Sequence, residues 1–133
     1  MKYHMGPIIE AAKTLNGEYV RELLKDGQDR PLPQLSYIGE NPNPGLAPIF
    51  SGMKLFGIEW TVEETADGDW IGQVSWQLMG KRGTYPAITD YMDKPVPSDA
   101  EPTFWPDEPQ AKNCAATCAD ILRKQISEHF NQP

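Results

Sequence analysis

Two neighbouring stretches in the middle of the chain alternate apolar and polar residues. The apolar positions are Phe56, Ile58, Trp60 and Val62 in the first stretch and Trp70, Val74, Trp76 and Leu78 in the second. Strict alternation places such side chains on one face of a β-sheet. The segment between them, from Ala66 to Asp69, contains the Asp-Gly pair that is typical of a tight connection. The sequence therefore predicts a β-hairpin over 53–79 with one apolar face.

The N-terminal part of the chain has helical periodicity. Its apolar stripe consists of Ile8, Ile9, Ala12, Leu15, Tyr19, Val20, Leu23 and Leu24. Asn16-Gly17 interrupts the stripe, because Asn favours a helix start and Gly is unfavourable inside a helix. We expect a leader helix within 1–16 and a main helix from Gly17 to Lys25 that stops at Gly27, although one kinked helix also fits the pattern.

The C-terminal part of the chain predicts a second helical region over 110–130. Pro109 suits the first turn of a helix. Apolar residues then recur at i, i+3 and i+4, namely Ala111, Cys114, Ala115, Cys118, Ile121, Leu122 and Ile126. The first half of this stripe contains small residues, which allow the helix to lie close to a sheet.

The remaining segments complete the predicted order of elements. Leu35 to Ile38 fits a short strand, and 17–79 is expected to contain the main helix and a three-stranded antiparallel sheet. The segment 80–109 contains six prolines and six acidic residues, and we expect an irregular acidic insert there. By length, 1–133 is one domain. The predicted fold is α+β, in the order α-β-β-β-α, with two helices on one face of the sheet.

Composition narrows the range of functions. The 133 residues carry a formal net charge of −7, which argues against a generic binder of polyanions, since phosphate contacts need clustered Lys and Arg. No apolar stretch is long enough for a signal peptide or a membrane span. Two cysteines alone do not make the framework of a secreted disulfide protein. We therefore expect an intracellular protein, cytoplasmic or nuclear, without membrane association.

No pattern in the sequence predicts catalysis, a metal or a cofactor. Cys114 and Cys118 share one helix face at i, i+4 spacing, and we expect packed core thiols. Zinc needs about four ligands, and only His4 and His129 could join the two thiols. The two histidines are near opposite ends of the chain, with no nucleophile at a recognisable spacing. We therefore expect a protein that is not an enzyme.

Four short strings, in order, resemble the double-stranded RNA-binding domain family. They are Pro33 with Leu35-Ser36-Tyr37, then 45–50 with the sequence Gly-Leu-Ala-Pro-Ile-Phe, then 68–75, and finally 111–116, which has the pattern Ala-Lys-x-x-Ala-Ala. The resemblance covers roughly 17–126. It implies the same α-β-β-β-α fold and a function that reads the shape of A-form duplex RNA rather than its sequence.

The resemblance implies three contacts with double-stranded RNA: a polar face of the first helix, the loop after the first strand, and the N-terminus of the second helix. The family has two further lysines at the third contact that this chain lacks. Lys81 and Arg82 from the insert are candidates to bind phosphates in their place. The candidate RNA-binding residues are Glu18, Arg21, Glu22, Asn43, Gly45, Lys81, Arg82, Lys112 and Asn113.

This chain departs from the family where the binding chemistry is concentrated. Leu46 occupies the place of the loop histidine, and Glu108 and Pro109 replace the two leading lysines of the Lys-Lys-x-Ala-Lys cluster. Lys112 remains, and Asp107 adds a further negative charge. Because each phosphate contact contributes to affinity, these changes should weaken RNA binding by orders of magnitude.

Two functions therefore follow from the resemblance. The first is a module that binds double-stranded RNA weakly and without sequence preference, or an RNA-associated adaptor. The second is a degenerate family member that binds a protein partner or forms a homodimer and does not bind RNA. Phe104 and Trp105 in the insert are the candidate partner-binding residues, because aromatic residues dominate interface hot spots.

Overall fold

The computed structural model describes residues 1–15, 17–31, 54–89 and 94–132. Within these residues, three helices and an antiparallel sheet make up an α+β fold, as the sequence predicts. The helices are α1 (Gly6–Thr14), α2 (Gly17–Leu24) and α3 (Glu108–Phe130), and the strands are β1 (Arg30–Pro31), β2 (Lys54–Glu64), β3 (Trp70–Leu78) and β4 (Lys81–Pro86). The split between α1 and α2 confirms a leader helix followed by a main helix. The predicted strand at 35–38 lies outside the described residues.

The β2–β3 hairpin is the longest paired region of the sheet. The sheet order is β1-β2-β3-β4, and neighbouring strands are antiparallel. Residue pairs such as Ile58–Trp76 and Trp60–Val74 place the predicted apolar positions of both strands on one face. The connection closes through a hydrogen bond from the Thr65 N–H to the Asp69 carbonyl at 2.7 Å. Gly68 has φ of 85°, a left-handed conformation that glycine adopts without a steric penalty.

In the described residues, the three helices pack on this apolar face but leave Trp60, which lies on it, 40% exposed. One continuous core joins Ile8 of α1, Val20 and Leu24 of α2, and the inward side chains of the sheet to the buried stripe of α3. The buried α3 residues are Ala111, Cys114, Ala115, Cys118, Ala119, Leu122, Ile126 and Phe130. They match the predicted stripe except that Ile121 is only half-buried and Ala119 and Phe130 join it. The structure thus confirms helices on a single face of the sheet.

The N-terminal half of α3 lies unusually close to the sheet at Gly72. A Cβ atom at this position would lie 2.9 Å from the Ala115 Cβ and 3.0 Å from the Ala87 Cβ. Real side chains do not tolerate such short contacts, so the approach requires glycine in the strand and alanine in the helix. The small residues in the sequence therefore determine the distance between α3 and the sheet.

The expectation of an irregular insert is wrong at its start, because residues 81–86 form strand β4. The turn before it uses Met79 and Gly80, with φ of 47° and 91°. Two consecutive positive φ values suit a two-residue hairpin turn, but Met is not a residue from which such a turn is predicted. A Cβ at Gly83 would lie 2.6 Å from the Trp76 indole nitrogen. Strand β4 therefore has glycine at a position where an alternating strand pattern would show an apolar side chain.

The chain after β4 stays attached to the body of the domain. Thr103 donates a backbone hydrogen bond to Ala87 at 3.1 Å, and Trp105 exchanges two backbone hydrogen bonds with Trp70 at 2.7 and 2.8 Å. Val96 is buried and bridges Tyr3 in parallel. The described residues of the segment are therefore held by the sheet and by the N-terminus.

A partly exposed ion pair joins Arg123 of α3 to Asp29, and both side chains also bind the backbone of β2. Arg123 donates to the Asp29 carboxylate at 2.6 Å and to the Ile58 carbonyl at 2.5 Å, while the Ile58 N–H donates to the same Asp29 carboxylate at 3.2 Å. Strand β1 pairs with β2 only as far as Phe56. Asp29 and Arg123 therefore satisfy the two backbone groups of Ile58 where the β1 ladder stops. We refer to Asp29, Ile58 and Arg123 as the edge clamp.

We predict that Arg123→Met destabilises the fold by about 1–3 kcal/mol, because it leaves a half-buried carboxylate and a strand carbonyl without their donor. Lys124→Met is the matched control, since Lys124 is exposed one residue further along α3. Urea denaturation followed by tryptophan fluorescence measures both. Equal stability of the two variants would contradict the role assigned to the edge clamp.

Candidate functional site

The N-terminus of α3 is the place where the family resemblance predicts phosphate binding. Asp107 caps the helix, and its carboxylate accepts the Gln110 N–H at 2.9 Å. Lys112 forms an ion pair with Glu108 at 2.7 Å. The helix N-terminus, which attracts anions, thus already carries two carboxylates of the chain itself. The remaining lysine of the predicted cluster is paired with one of them.

The other predicted RNA-binding residues lie elsewhere on the domain. Lys81 pairs with Leu78 at one end of β3, whereas the N-terminus of α3 lies over Gly72. Six strand residues separate the two places by roughly 20 Å. Lys81 and Arg82 are exposed beside α1, and they line a groove with Pro7 and Glu10. They therefore do not replace the missing lysines at the helix N-terminus.

The predicted residues of the first helix are on the exposed side of α2. Arg21 donates a hydrogen bond to the Gln132 carbonyl, next to the C-terminal end of α3. Glu22 pairs with Lys25 at 2.7 Å, and Glu18 is exposed. Two of these three side chains thus have contacts within the domain. The loop candidates Asn43 and Gly45 lie outside the described residues.

We predict that the full chain does not bind a duplex of about 16 base pairs even at low salt, because carboxylates stand where the phosphates would be held. Fluorescence anisotropy measures this directly. The double substitution Asp107→Lys/Glu108→Lys should create salt-dependent binding of the duplex if only the two carboxylates prevent the N-terminus of α3 from binding phosphates. Tight binding by the unaltered chain that Lys112→Glu abolishes would contradict the prediction.

The two candidate partner-binding aromatics point to opposite faces of the sheet. Trp105 is partly buried against the core, and its antiparallel bridge to Trp70 places it on the helix-covered face. Phe104 precedes it in an extended segment and is 52% exposed. Because neighbouring residues of a strand alternate, Phe104 faces away from α3. The structure thus separates the two residues: one belongs to the interior, and the other is an exposed aromatic side chain.

Cys114 and Cys118 are adjacent on the buried face of α3, as the stripe predicts. They are 8% and 2% exposed, and both are free thiols. Cys118 donates to the Ile88 carbonyl at 3.2 Å. Both cysteines also line a groove of about 330 Å³ together with Ile88, Asn113 and Trp105. The sequence indicated the burial of the thiols but not the groove, because Ile88 and Trp105 come from the segment predicted to be irregular.

The two thiols have strongly different acidities. A hydrogen bond from Cys114 lowers the pKa of Cys118 from its ordinary value of 9 to about 6, against the effect of burial. The same interaction, together with burial, raises the pKa of Cys114. Burial also raises the pKa of Tyr3, whose hydroxyl lies near Cys118, and raises that of Tyr85 to about 12. The interaction between the two thiols therefore favours loss of the Cys118 proton before that of Cys114.

A single polar atom near the thiols lacks a hydrogen-bond partner. The indole N–H of Trp105 is buried without a nitrogen or oxygen acceptor in the described part of the chain. Its neighbour is the Cys114 sulfur, and the indole acts to lower the pKa of that thiol. The Cys114 sulfur, a weak acceptor, is thus the group that this buried donor faces.

We predict that the thiol pair makes the domain more stable as the pH rises from 6 to 9. In this window the native state has lost the Cys118 proton, whereas the unfolded state still binds both thiol protons. The slope is at most about 1.4 kcal/mol per pH unit for one proton. Above pH 9 the sign reverses, because the unfolded state then loses both protons and native Cys114 keeps its own.

Denaturation of the wild type and of Cys118→Ala at pH 6.5, 7.5 and 8.5 isolates this contribution. The stability difference between the two proteins should grow with pH, and Thr117→Ala, one residue away on the exposed side, should follow the wild type. A difference that does not change with pH would show that no native thiolate forms.

Comparisons with known proteins give no further assignment. No protein-family model, no curated protein and no solved structure matches this chain. Within residues 1–15, 17–31, 54–89 and 94–132, no helix has both the length and the apolarity to cross a membrane. In the same residues, no group of three or more His, Cys, Asp or Glu side chains is arranged to hold a metal ion.

Proposed function

We propose that this chain is a double-stranded-RNA-binding-domain-like module that binds a protein partner and does not bind duplex RNA. The exposed side chain of Phe104, on a backbone fixed at both neighbouring residues, is the observation that carries this proposal. The carboxylates of Asp107 and Glu108 at the N-terminus of α3 support the loss of phosphate binding. Duplex RNA binding is the alternative that the experiment below must exclude.

Phe104 has the properties of an interface anchor. Thr103 is tied to Ala87, and Trp105 to Trp70, by backbone hydrogen bonds of 2.7–3.1 Å. A side chain on such a rigid segment loses little conformational entropy on binding. Aromatic residues with large exposed area contribute most to interface hot spots. The backbone thus presents the ring in a preorganised position.

The surface around Phe104 indicates the chemistry of the partner. Pro102, two residues before Phe104, lines a groove of about 320 Å³ together with Glu63, Ile71 and Gln73. The nearest acidic residues along the chain are Glu101 and Asp107, both of which are exposed. An apolar ring with acidic neighbours fits a partner that offers an apolar pocket with a basic rim.

The same charge argues for a different protein as the partner rather than for a second copy of this chain. Each copy has a net charge of −7 and would bring the same acidic rim into a symmetric interface. Like charges that face each other in an interface oppose association. We therefore expect the isolated chain to sediment as a monomer.

We predict that Phe104→Ala weakens partner binding by at least 2 kcal/mol, which is the typical effect of removing a hot-spot aromatic residue. Quantitative affinity capture with the full chain, followed by titration of the recovered partner, measures the loss. Tyr19→Ala is the matched control, since Tyr19 is an exposed aromatic residue on α2, at 48% exposure. Fluorescence and thermal unfolding check that both variants remain folded.

The outcomes separate the candidate functions. A partner that is lost with Phe104→Ala, kept with Tyr19→Ala and resistant to nuclease supports the proposal. Binding to the duplex of about 16 base pairs with a steep salt dependence would instead assign RNA recognition. A stable dimer of the isolated chain would replace the hetero-partner by a second copy. Equal capture by the wild type and by Phe104→Ala would remove Phe104 as the anchor.

A further inference from the structure

The first part of β4 presents an open sheet edge. Among the described strands, β4 is the last in the sheet order, and its residues Lys81, Arg82 and Thr84 are exposed. Further along, the chain supplies its own partner, because the Pro86 carbonyl accepts the Tyr3 hydroxyl at 2.6 Å. An exposed strand edge of this kind can accept an extended segment as one further strand. We refer to residues 81–84 as the open edge.

The register of β4 shows which backbone groups face outward. The Ala87 N–H donates to the Gly72 carbonyl at 3.0 Å, which makes these two residues a hydrogen-bonded pair. In an antiparallel ladder such pairs alternate with pairs whose N–H and C=O groups face away from the neighbouring strand. Counting back along the register places Arg82 and Thr84 in pairs of the second kind. Their backbone groups are therefore directed toward the open edge.

A groove between the open edge and α1 adjoins these backbone groups. It has a volume of about 410 Å³, and its lining includes the apolar residues Pro7, Ala11 and Trp76 and the charged residues Glu10 and Lys81. Alternate side chains of a strand point to the same face of a sheet. Every second side chain of a strand added at the open edge would therefore enter this groove.

Two cations flank the open edge. Lys81 and Arg82 are neighbours in a strand, so their side chains point to opposite faces of the sheet. Neither forms an ion pair with a described residue, whereas Lys25, Lys112 and Arg123 each do. Charged side chains on an edge normally prevent indiscriminate strand pairing. An incoming strand with acidic side chains would instead be attracted by the same two charges.

We propose that the open edge binds an extended acidic segment of a partner protein as an additional strand beside α1. Backbone hydrogen bonds to Arg82 and Thr84 supply affinity, and alternate side chains supply specificity. The segment carries acidic residues on the face of Arg82 and apolar residues on the face of the groove, where they contact Trp76. Glu10 disfavours an acidic side chain in the groove, which selects this alternation.

The charges of the open edge disfavour a second copy of this chain as the occupant. Symmetric pairing of two β4 strands would bring Lys81 and Arg82 of one copy close to the same residues of the other. Like charges that face each other oppose association. The occupant is therefore a different chain, with charge opposite to that of the edge.

The open edge is separate from the exposed ring of Phe104. Thr103, the residue before Phe104, donates to the Ala87 carbonyl, and Ala87 is five residues beyond Arg82 along the chain. Five residues of a strand span roughly 17 Å. The proposal thus concerns a second binding surface and does not rest on the function proposed for Phe104.

A synthetic peptide tests the open edge directly. The probe is Thr-Glu-Val-Glu-Val-Glu-Thr-amide with fluorescein at its N-terminus, and the control peptide has lysine in place of each glutamate. Anisotropy titrations with the full chain use an ionic strength of about 0.15 M, at which a Debye length of about 8 Å screens the distant negative charges of the chain. We expect saturable binding of the acidic peptide and no binding of the lysine peptide.

Charge variants test the two cations. Lys81→Glu/Arg82→Glu should weaken binding of the acidic peptide by at least about 10-fold, because attraction becomes repulsion at the edge. Lys13→Glu/Lys124→Glu is the matched control, since it changes the net charge equally at two exposed lysines outside the groove. Equal affinities of the two double variants would overturn the proposal.

A proline variant tests strand addition itself. Thr84→Pro removes an outward N–H without removing a hydrogen bond to β3, and proline is tolerated at such edge positions. It should weaken binding by about 10-fold, the effect of losing roughly one hydrogen bond. Thr84→Val keeps the N–H and should bind like the wild type, and circular dichroism verifies that both variants are folded. Equal affinities of the two Thr84 variants would contradict strand addition.

Amide hydrogen exchange of the unaltered chain gives a readout that needs no variant. With saturating acidic peptide, the Arg82 and Thr84 N–H groups should exchange more slowly, whereas that of Gly83, which faces Trp76, should not change. Unchanged exchange at Arg82 and Thr84, absent binding of the acidic peptide, or equal binding of the lysine peptide would each overturn the proposal. Binding that is lost with Phe104→Ala would assign the peptide to the other surface and overturn it as well.

Discussion

The guanidinium of Arg123 joins three parts of the chain that are far apart in sequence. It contacts the Asp29 carboxylate between α2 and β1 and the Ile58 carbonyl in β2. Backbone groups at a strand edge need partners, and here the edge clamp supplies them where the β1 ladder ends. Since α3 is a rigid rod, this contact near its C-terminal half also fixes the position of its N-terminal half. The edge clamp thus helps to position the half of α3 that carries Cys114 and Cys118.

The second determinant of the fold is the small size of the residues between α3 and the sheet. Gly72 in β3, Ala87 just after β4 and Ala115 in α3 leave no room for larger side chains. This close approach brings the Cys118 sulfur to 3.2 Å from the Ile88 carbonyl oxygen. The same hydrogen-bonded backbone around Trp70 and Trp105 holds Phe104 on the opposite face. The groove lined by Cys114 and Cys118 and the exposed ring of Phe104 thus lie on opposite faces of the short extended segment around Trp105.

Sequence reasoning predicted the elements whose periodicity is strong. The α3 stripe, the split between α1 and α2 and the inward face of the hairpin all follow from residue patterns, because burial on one face imposes a period of 3.6 or 2. Strand β4 could not be predicted in this way, because Gly83 packs against Trp76 with no side chain and Met79 occupies a left-handed turn position. The edge clamp was equally hidden, since Asp29 and Arg123 are ordinary charged residues in the sequence. Phe104 is exposed and its role as an anchor stays a prediction, whereas Trp105 is partly buried against the core.

Tyr3 connects the first residues of the chain to its last helix. Its N–H donates to the Gln125 side chain, 122 positions away, at 2.7 Å, and its hydroxyl donates to the Pro86 carbonyl at 2.6 Å. The N-terminal segment also exchanges backbone hydrogen bonds with Val96. During synthesis, the residues around Tyr3 have no final partner until α3 has emerged from the ribosome, because their contacts are distant in sequence. The ring of Tyr3 therefore stays in an incomplete environment until α3 has packed against it.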